Sequence, residues 1–314
     1  MKKILIVGAG GQIGSELVTY LRGLYGNGNV VAADLRQSER LAADGPFEIL
    51  DALDAERYAE LVRKYGIDSI FNLAALLSAK GEANPTLAWK INIGALTNSL
   101  EVARQYNCAL FTPSSIGAFG GDFPRDNTPQ DTIMQPNTMY GVCKVTGELL
   151  SNYYHTRFGV DTRSVRFPGI ISNVTLPGGG TTDYAVEIYY AAVKGERFVC
   201  PVSSNVYMDM MYMPDALRAT VELMEADPAK LKHRNSFNIA SMSFTPEIIY
   251  AEIRKRLPEF EMVYDVDPVK EAIAESWPNK LDDTCAREEW GWKPQWDLSS
   301  MTDDMLRAVR AKNL

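Results

Sequence analysis

The chain of 314 residues is 46% hydrophobic and 23% charged, the balance of a globular protein with a large core and about two domains. Its net charge of −8 argues against nucleic acid or an anionic membrane surface as a partner, because both need basic patches. No apolar run is long enough to span a bilayer, and the one behind Lys2 and Lys3 is too short for a signal peptide, so a cytoplasmic location is expected.

Lys3-Ile4-Leu5-Ile6-Val7 has no polar alternation and reads as a parallel strand buried on both faces. Gly8-Ala9-Gly10-Gly11-Gln12-Ile13-Gly14 then turns it into a helix predicted over 15–24. Glycines at 8, 11 and 14 let the backbone turn tightly and approach a pyrophosphate. The phosphate would sit on the helix N-terminus, where unpaired N–H groups and the dipole favour an anion. A second strand, Asn29-Val30-Val31-Ala32-Ala33, ends in Asp34, where a carboxylate can hold the adenosine ribose and repel a 2′-phosphate. NAD is therefore expected rather than NADP, although Arg36 weighs the other way.

A third strand, Phe47-Glu48-Ile49-Leu50, reaches Asp51-Ala52-Leu53-Asp54, and a helix over 55–65 follows with Tyr58, Leu61, Val62 and Tyr65 on one stripe. Strand four, 69–73, runs into Asn72-Leu73-Ala74-Ala75, whose small residues let the backbone pass close to a flat cofactor. A long helix begins at Asn84-Pro85 and runs to about Tyr106, and strand five, Ala109-Leu110-Phe111-Thr112, ends at Pro113-Ser114-Ser115. Another helix starts near Thr138, and strand six, 162–167, leads to Pro168-Gly169. This alternation predicts the α/β class, a doubly wound parallel sheet of Rossmann type with its ligand site at the strands' carboxyl ends.

Beyond strand six the texture changes: Pro177-Gly178-Gly179-Gly180-Thr181-Thr182 is loop-like, and later segments are shorter and richer in Met, Tyr and Trp. The expected division is an NAD-binding domain over 1–168 and a smaller substrate-capping region over 169–314, some of whose segments return to the first domain. Helices are predicted over 183–194, 215–225, 246–256 and 299–311, with short strands near Phe198 and Asn238. Cys108, Cys143, Cys200 and Cys285 show no metal spacing, and His155 and His233 are the only histidines. Reduced thiols and no metal are expected.

Tyr140 and Lys144 are four apart, so on a helix they share one face. A phenol beside an ammonium is the pair that alcohol oxidation needs. Free tyrosine ionises near pH 10, and a base working near neutrality needs its phenolate favoured by about 3–4 kcal/mol. One charge at about 4 Å in an effective dielectric near 20 supplies about 4 kcal/mol. Tyr-x-x-x-Lys also arises by chance on surface helices. Here its place after the fifth strand of a dinucleotide fold, behind Ser114-Ser115, favours chemistry.

The glycine turn, Asn72-Leu73-Ala74-Ala75, Ser114-Ser115 and Tyr140-x-x-x-Lys144, in this order, resemble the extended short-chain dehydrogenases, the group that includes sugar-nucleotide epimerases. The resemblance covers nearly the whole chain. It implies that Ser115 orients the substrate hydroxyl, with Ser114 a possible sharer of that role. Tyr140 would move the proton, and Lys144 would bind the nicotinamide ribose and favour the phenolate. The expected cofactor-binding set is Gly8, Gly11, Gln12, Ile13, Gly14, Asp34, Arg36, Asp51, Ala52, Leu53, Leu73, Ala74, Ala75, Asn92, Tyr140, Lys144 and Phe167.

Sugar-nucleotide members carry Arg-Tyr-x-Asn after strand six and a later Arg-Asp-(Phe/Tyr), whose asparagine and second arginine help hold the diphosphate. Here the corresponding segments read Arg166-Phe167-Pro168-Gly169 and Met208-Asp209-Met210. Without that guanidinium the bidentate phosphate contact is lost, and a smaller substrate fits better. The segments 113–120, 177–185 and Ser276-Trp277-Pro278 resemble the short-chain-type L-threonine 3-dehydrogenases. That resemblance implies NAD-linked oxidation of the threonine hydroxyl to 2-amino-3-oxobutyrate and a homodimer built through a four-helix bundle.

Ser78, Lys80, Gly81, Thr181 and Thr182 are candidate partners for an amino-acid substrate, the two threonines being alternatively helix caps. Trp277 is either an aromatic lid or core packing. Two other readings stay open, a sugar-nucleotide epimerase or dehydratase and a non-catalytic NAD-binding regulator.

Overall fold

The apolar run at the N-terminus forms strand β1 (Ile4–Val7), fully buried at the centre of a six-stranded sheet. A computed structural model describes residues 1–175 and 180–312, residues 78–80 by their backbone alone. On one side of β1 lie β2 (Val30–Asp34) and β3 (Phe47–Ile49). On the other lie β4 (Ser69–Asn72), β5 (Ala109–Phe111) and, after the two-residue β6 (Ser114–Ser115), β7 (Thr162–Arg163). The order β3-β2-β1-β4-β5-β7 is parallel throughout. The chain leaves β1 toward β2 on one side and enters β4 on the other, so a crevice opens over the carboxyl ends of β1 and β4.

The strands are joined by α1 (Gln12–Tyr25), α2 (Glu39–Ala43), α3 (Ala55–Tyr65), α4 (Ser78–Ala83), α5 (Pro85–Tyr106) and α6 (Met139–Phe158). Their starts follow local chemistry: Ser38, Asp54, Asn84 and Thr138 each accept a backbone N–H from the first turn of α2, α3, α5 and α6. Helix α1 starts three residues earlier than its pattern suggests, directly on the glycine turn.

The carboxyl half supplies β8 (Val165–Phe167), β9 (Gly169–Ile171), α7 (Tyr184–Lys194), β10 (Phe198–Cys200), β11 (Met208–Tyr212) and α8 (Met213–Glu225). It continues through β12 (Phe237–Asn238), β13 (Met242–Phe244), α9 (Pro246–Arg254), β14 (Met262–Tyr264), α10 (Pro268–Glu275), α11 (Thr284–Trp290) and α12 (Leu298–Arg310). Three small sheets form, β12-β8-β6, β13-β11-β9 and β10-β14. Strand six of the sequence is therefore two strands. At Ser164 the chain leaves the central sheet, its N–H bonding Arg234 O and its carbonyl accepting from Phe237, so β8 pairs with β6 and β12 instead.

Side chains of β1 alternate between two cores. Ile4 and Ile6 meet Leu17 and Leu21 of α1 together with Leu217, Phe237 and Trp292, while Leu5 and Val7 meet Tyr58, Leu61 and Leu100. A third core, around Tyr184, Ile188, Met208, Tyr212, Phe244 and Met305, belongs to the carboxyl half. No helix among the described residues is long and apolar enough to cross a membrane.

Strand β11 buries one carboxyl, Asp209, whose Oδ2 accepts the Leu281 N–H at 2.7 Å. Burial pushes this group up to about 8 against that hydrogen bond, with Asp283 adding to the rise. Above the ordinary carboxyl range near pH 4 the folded chain then holds a proton that the unfolded chain has lost, so stability falls as pH climbs toward 8. Asp209→Asn removes that titration. In thermal unfolding between pH 5 and 9 the variant should gain on the wild type as pH rises, whereas parallel Tm curves would mean that Asp209 is ionised when folded.

Candidate active site

The turn after β1 is shaped by what a side chain would hit. Gly8 has φ +81°, and a Cβ there would lie 2.7 Å from Ala74 N, so the ends of β1 and β4 touch at this point. A Cβ on Gly14 would lie 2.2 Å from the Gly8 carbonyl oxygen, which only a glycine avoids. Gly11, the N-cap of α1, offers no side-chain acceptor, and the first turn of α1 holds no acidic residue. The leading N–H groups are thus left for an external anion, as a dinucleotide diphosphate requires. At the rim, Asp34 Oδ2 accepts the Gly10 N–H at 2.8 Å, which fixes its carboxylate at the carboxyl end of β2.

Across the crevice, α6 is capped by Thr138, whose Oγ1 accepts the Gly141 N–H at 3.1 Å. A Cβ on Gly141 would come within 2.3 Å of Gly117 O, so the helix sits directly on the turn Ile116–Ala118. At Gly117 a Cβ would lie 3.3 Å from the Tyr140 ring and 3.5 Å from Ser115 Oγ, so ring and hydroxyl flank one point. Ser115 Oγ accepts the Gly117 N–H at 3.1 Å. Lys144 Nζ donates to Pro113 O at 2.6 Å and stands 5.2 Å from the centre of the Tyr140 ring.

These groups line one cleft with a cavity volume of about 270 Å³, near the small end of ligand pockets at roughly 300–1,000 Å³. The cleft brings together Gly8, Gly11, Gln12, Ile13, Gly14, Leu73, Ala75, Ser115, Tyr140, Lys144, Phe167, Thr181, Thr182 and Trp277. Ser114, Ile116, Gly180 and Asp183 line it as well.

A model of the NAD dependent epimerase/dehydratase family matches residues 4–240. The chain belongs to this family. An uncharacterised epimerase/dehydratase of Staphylococcus aureus is 57% identical, the match covering all of this chain and 98% of that protein. L-threonine dehydrogenase of Clostridium difficile is 55% identical, with a TM-score of 0.98 over 99% of this chain and 98% of that one. The holo form of GalE-like L-threonine dehydrogenase from Cupriavidus necator is 50% identical, with a TM-score of 0.96 over 98% and 99%. The resemblance to threonine dehydrogenases read from the sequence is thus carried by whole solved structures, and the family points to NAD as the cofactor.

Several expected residues of this epimerase/dehydratase fold lie off the cleft. Asp34, the last residue of β2, and Arg36 just beyond it are not among its lining residues, and Asp51, Ala52 and Leu53 follow β3, where Asp51 accepts the Leu53 N–H at 2.9 Å and Ala52 joins the core. Asn92 lines a neighbouring cavity with Ala74 and Ala75. Its Oδ1 accepts the Leu76 N–H at 2.7 Å and its Nδ2 donates to Leu76 O at 3.1 Å, a clamp on the cofactor wall. Gly81 is buried against Ala88. The side chains of Ser78 and Lys80, and residues Pro177, Gly178 and Gly179, lie outside the described residues. Trp277 is both wall and packing, since it lines the cleft and joins a cluster with Ile116, Phe119 and Leu281.

Sequence reading missed what supports the site. One turn past Lys144, buried Glu148 takes two bonds from buried Arg166, Nε at 3.0 Å and Nη2 at 2.8 Å, and also accepts the Ser114 hydroxyl. Arg166 Nη1 reaches Gln130 O at 2.8 Å and Asn238 Oδ1 at 2.9 Å. Ser114 therefore donates into the interior, which leaves Ser115 as the serine beside Tyr140. The signal was present as Tyr140, Lys144 and Glu148 at steps of four, one helix stripe.

The two positions that supply diphosphate ligands in sugar-nucleotide members are a glycine and a methionine here. A Cβ on Gly169 would lie 2.4 Å from Met210 Sδ and 2.7 Å from Thr182 Cγ2, so a longer side chain would require both to shift. Met208 is wholly buried in the carboxyl-half core.

Proposed function

We propose that this chain oxidises the 3-hydroxyl of L-threonine to 2-amino-3-oxobutyrate with NAD. The observation that carries the reading is Ser115, Tyr140 and Lys144 on one small cleft with the glycine turn, with Gly169 and the buried Met208 where sugar-nucleotide members carry diphosphate ligands. When bound, NAD supplies the hydride acceptor at nicotinamide C4. Ser115 Oγ, oriented through the Gly117 N–H, holds the substrate hydroxyl beside the Tyr140 ring. Tyr140 as phenolate takes the hydroxyl proton while the C3 hydride leaves, and it returns that proton to solvent after product release. Lys144, positioned by the Pro113 carbonyl, would stabilise the phenolate and hold the nicotinamide ribose. Thr181 and Thr182 offer hydroxyls to the substrate carboxylate.

In this proposal residues 1–168 bind NAD and 169–314 cover the substrate, with α8 and β12 returning to the first domain, in the cytoplasm. Asp34 opposes a 2′-phosphate, so NAD should be preferred to NADP by at least about tenfold, which a repulsion of about 1.4 kcal/mol suffices to give. Asp34→Ala should narrow that ratio. Initial NADH production should appear with L-threonine, and UDP-galactose and UDP-glucose should not be interconverted. Epimerisation of the UDP-sugars without a threonine signal would restore the epimerase reading, and bound NAD without turnover of any alcohol would favour the regulator.

The proposal includes a homodimer through α5 and α6. Val142, Leu149 and Tyr153 form a stripe on α6, with Leu149 63% and Tyr153 54% exposed, and Leu87 and Trp89 add apolar surface on α5. Solution scattering should give twice the chain mass, and a monomer at micromolar concentration would remove this part.

A further inference from the structure

His233, Cys285 and Glu289 converge on one point; none of them lines the cleft, and the proposed reaction uses none of them. Cys285 and Glu289 are one turn apart on α11, and His233 arrives from the segment before β12. One donor atom from each lies within 4.8 Å of the other two. Glu289 Oε2 accepts the backbone N–H groups of Lys232 and His233, while its Oε1 shares a hydrogen bond with His233 Nδ1. On the far side of the imidazole, Asp131 Oδ2 stands 3.6 Å from Nε2. The thiol, the imidazole and the Glu289 carboxylate thus face one point, with a second carboxylate, Asp131, beside the ring.

We propose that His233 Nδ1, Cys285 Sγ and Glu289 Oε1 form a zinc site, with water in the fourth tetrahedral position. One nitrogen, one thiolate and one carboxylate are the donor types zinc takes, and a hard ion such as magnesium or calcium would reject the sulfur. On binding, the Cys285 proton passes to solvent and a zinc–sulfur bond forms. The imidazole proton that now lies in the Nδ1–Glu289 hydrogen bond passes through solvent to Nε2, on the side of the Asp131 carboxylate 3.6 Å away, which frees Nδ1 for the metal. Metal-bound histidines commonly direct their other ring N–H toward a carboxylate. No redox change is involved. The ion ties the 232–233 backbone to α11 next to Phe237, whose ring lies 6.3 Å from the imidazole and whose strand pairs with β8. Metal bound only by the folded chain stabilises it by mass action without touching the cleft.

The test uses the full chain stripped of metal. Titration with Zn²⁺ against a chromophoric chelator should show one tight site, and Tm should rise with the first equivalent. Co²⁺ should produce a thiolate charge-transfer band in the near ultraviolet. Cys285→Ser should lose that band and weaken zinc binding by at least about tenfold, the lower bound even for losing an outer partner of a ligand. Its metal-free Tm should match the wild type, and His233→Asn should weaken zinc similarly. Absence of the cobalt band in the wild type, or equal zinc affinity in the wild type and Cys285→Ser, would overturn the site.

Discussion

Tyr140→Phe should lower L-threonine turnover by at least about a hundredfold while NAD affinity stays within a few-fold, the usual scale for removing a general base. The ring is retained and packs against Gly117 as before, so the helix seat on the Ile116–Ala118 turn survives. Only the phenolic oxygen is lost. Lys144→Ala should behave differently, because its amine stands beside the Tyr140 ring and, in the proposed mechanism, also holds the cofactor ribose. It should weaken NAD binding and turnover together, and it also frees the Pro113 carbonyl that now accepts its proton. Measuring NAD affinity by fluorescence alongside NADH production separates the two cases. Near-normal turnover in the Phe variant would mean that another group takes the substrate proton.

Glu148→Ala should destabilise the fold by about 3–5 kcal/mol, the cost of removing one partner from a buried ion pair. Glu148 and Arg166 are each about one-twentieth exposed, and the two bonds between them are the only carboxylate contacts that Arg166 makes among the described residues. In the variant a guanidinium stays buried with only Gln130 O and Asn238 Oδ1 as acceptors, and the Ser114 hydroxyl loses its partner. Replacing both members, Glu148→Leu with Arg166→Met, should recover much of the loss, since an apolar pair of similar volume needs no charge compensation. Urea unfolding of the three chains decides the matter, and a single-variant loss within about 1 kcal/mol would mean that water reaches the arginine. Because Ser114 neighbours Ser115 in the chain, turnover of the single variant should also fall more than its folded fraction.

The elements legible in the sequence are those written in contiguous residues. The run from Lys3 to Val7 has no polar alternation, so it could only be a strand covered on both faces, and Gly8, Gly11 and Gly14 mark the turn because backbone freedom is a property of the residue itself. Thr138 announces the start of α6, and the four-residue step from Tyr140 to Lys144 sets both on one stripe before any tertiary contact exists. Tertiary structure alone decided the partners. A strand pattern cannot tell which neighbour it will pair with, so the break at Ser164, where β8 turns from the central sheet to β6 and β12, depends on a segment more than seventy residues later. Ser114 and Ser115 are chemically identical in the sequence, and only the buried Glu148 on α6 draws the first one inward. Asn92 has a contact that no sequence pattern records, since its Oδ1 accepts the Leu76 N–H and its Nδ2 donates to Leu76 O from a helix away. His233 and Cys285 carry no metal spacing because their meeting is made by β12 and α11 packing on one core, a distance that the order of residues does not record.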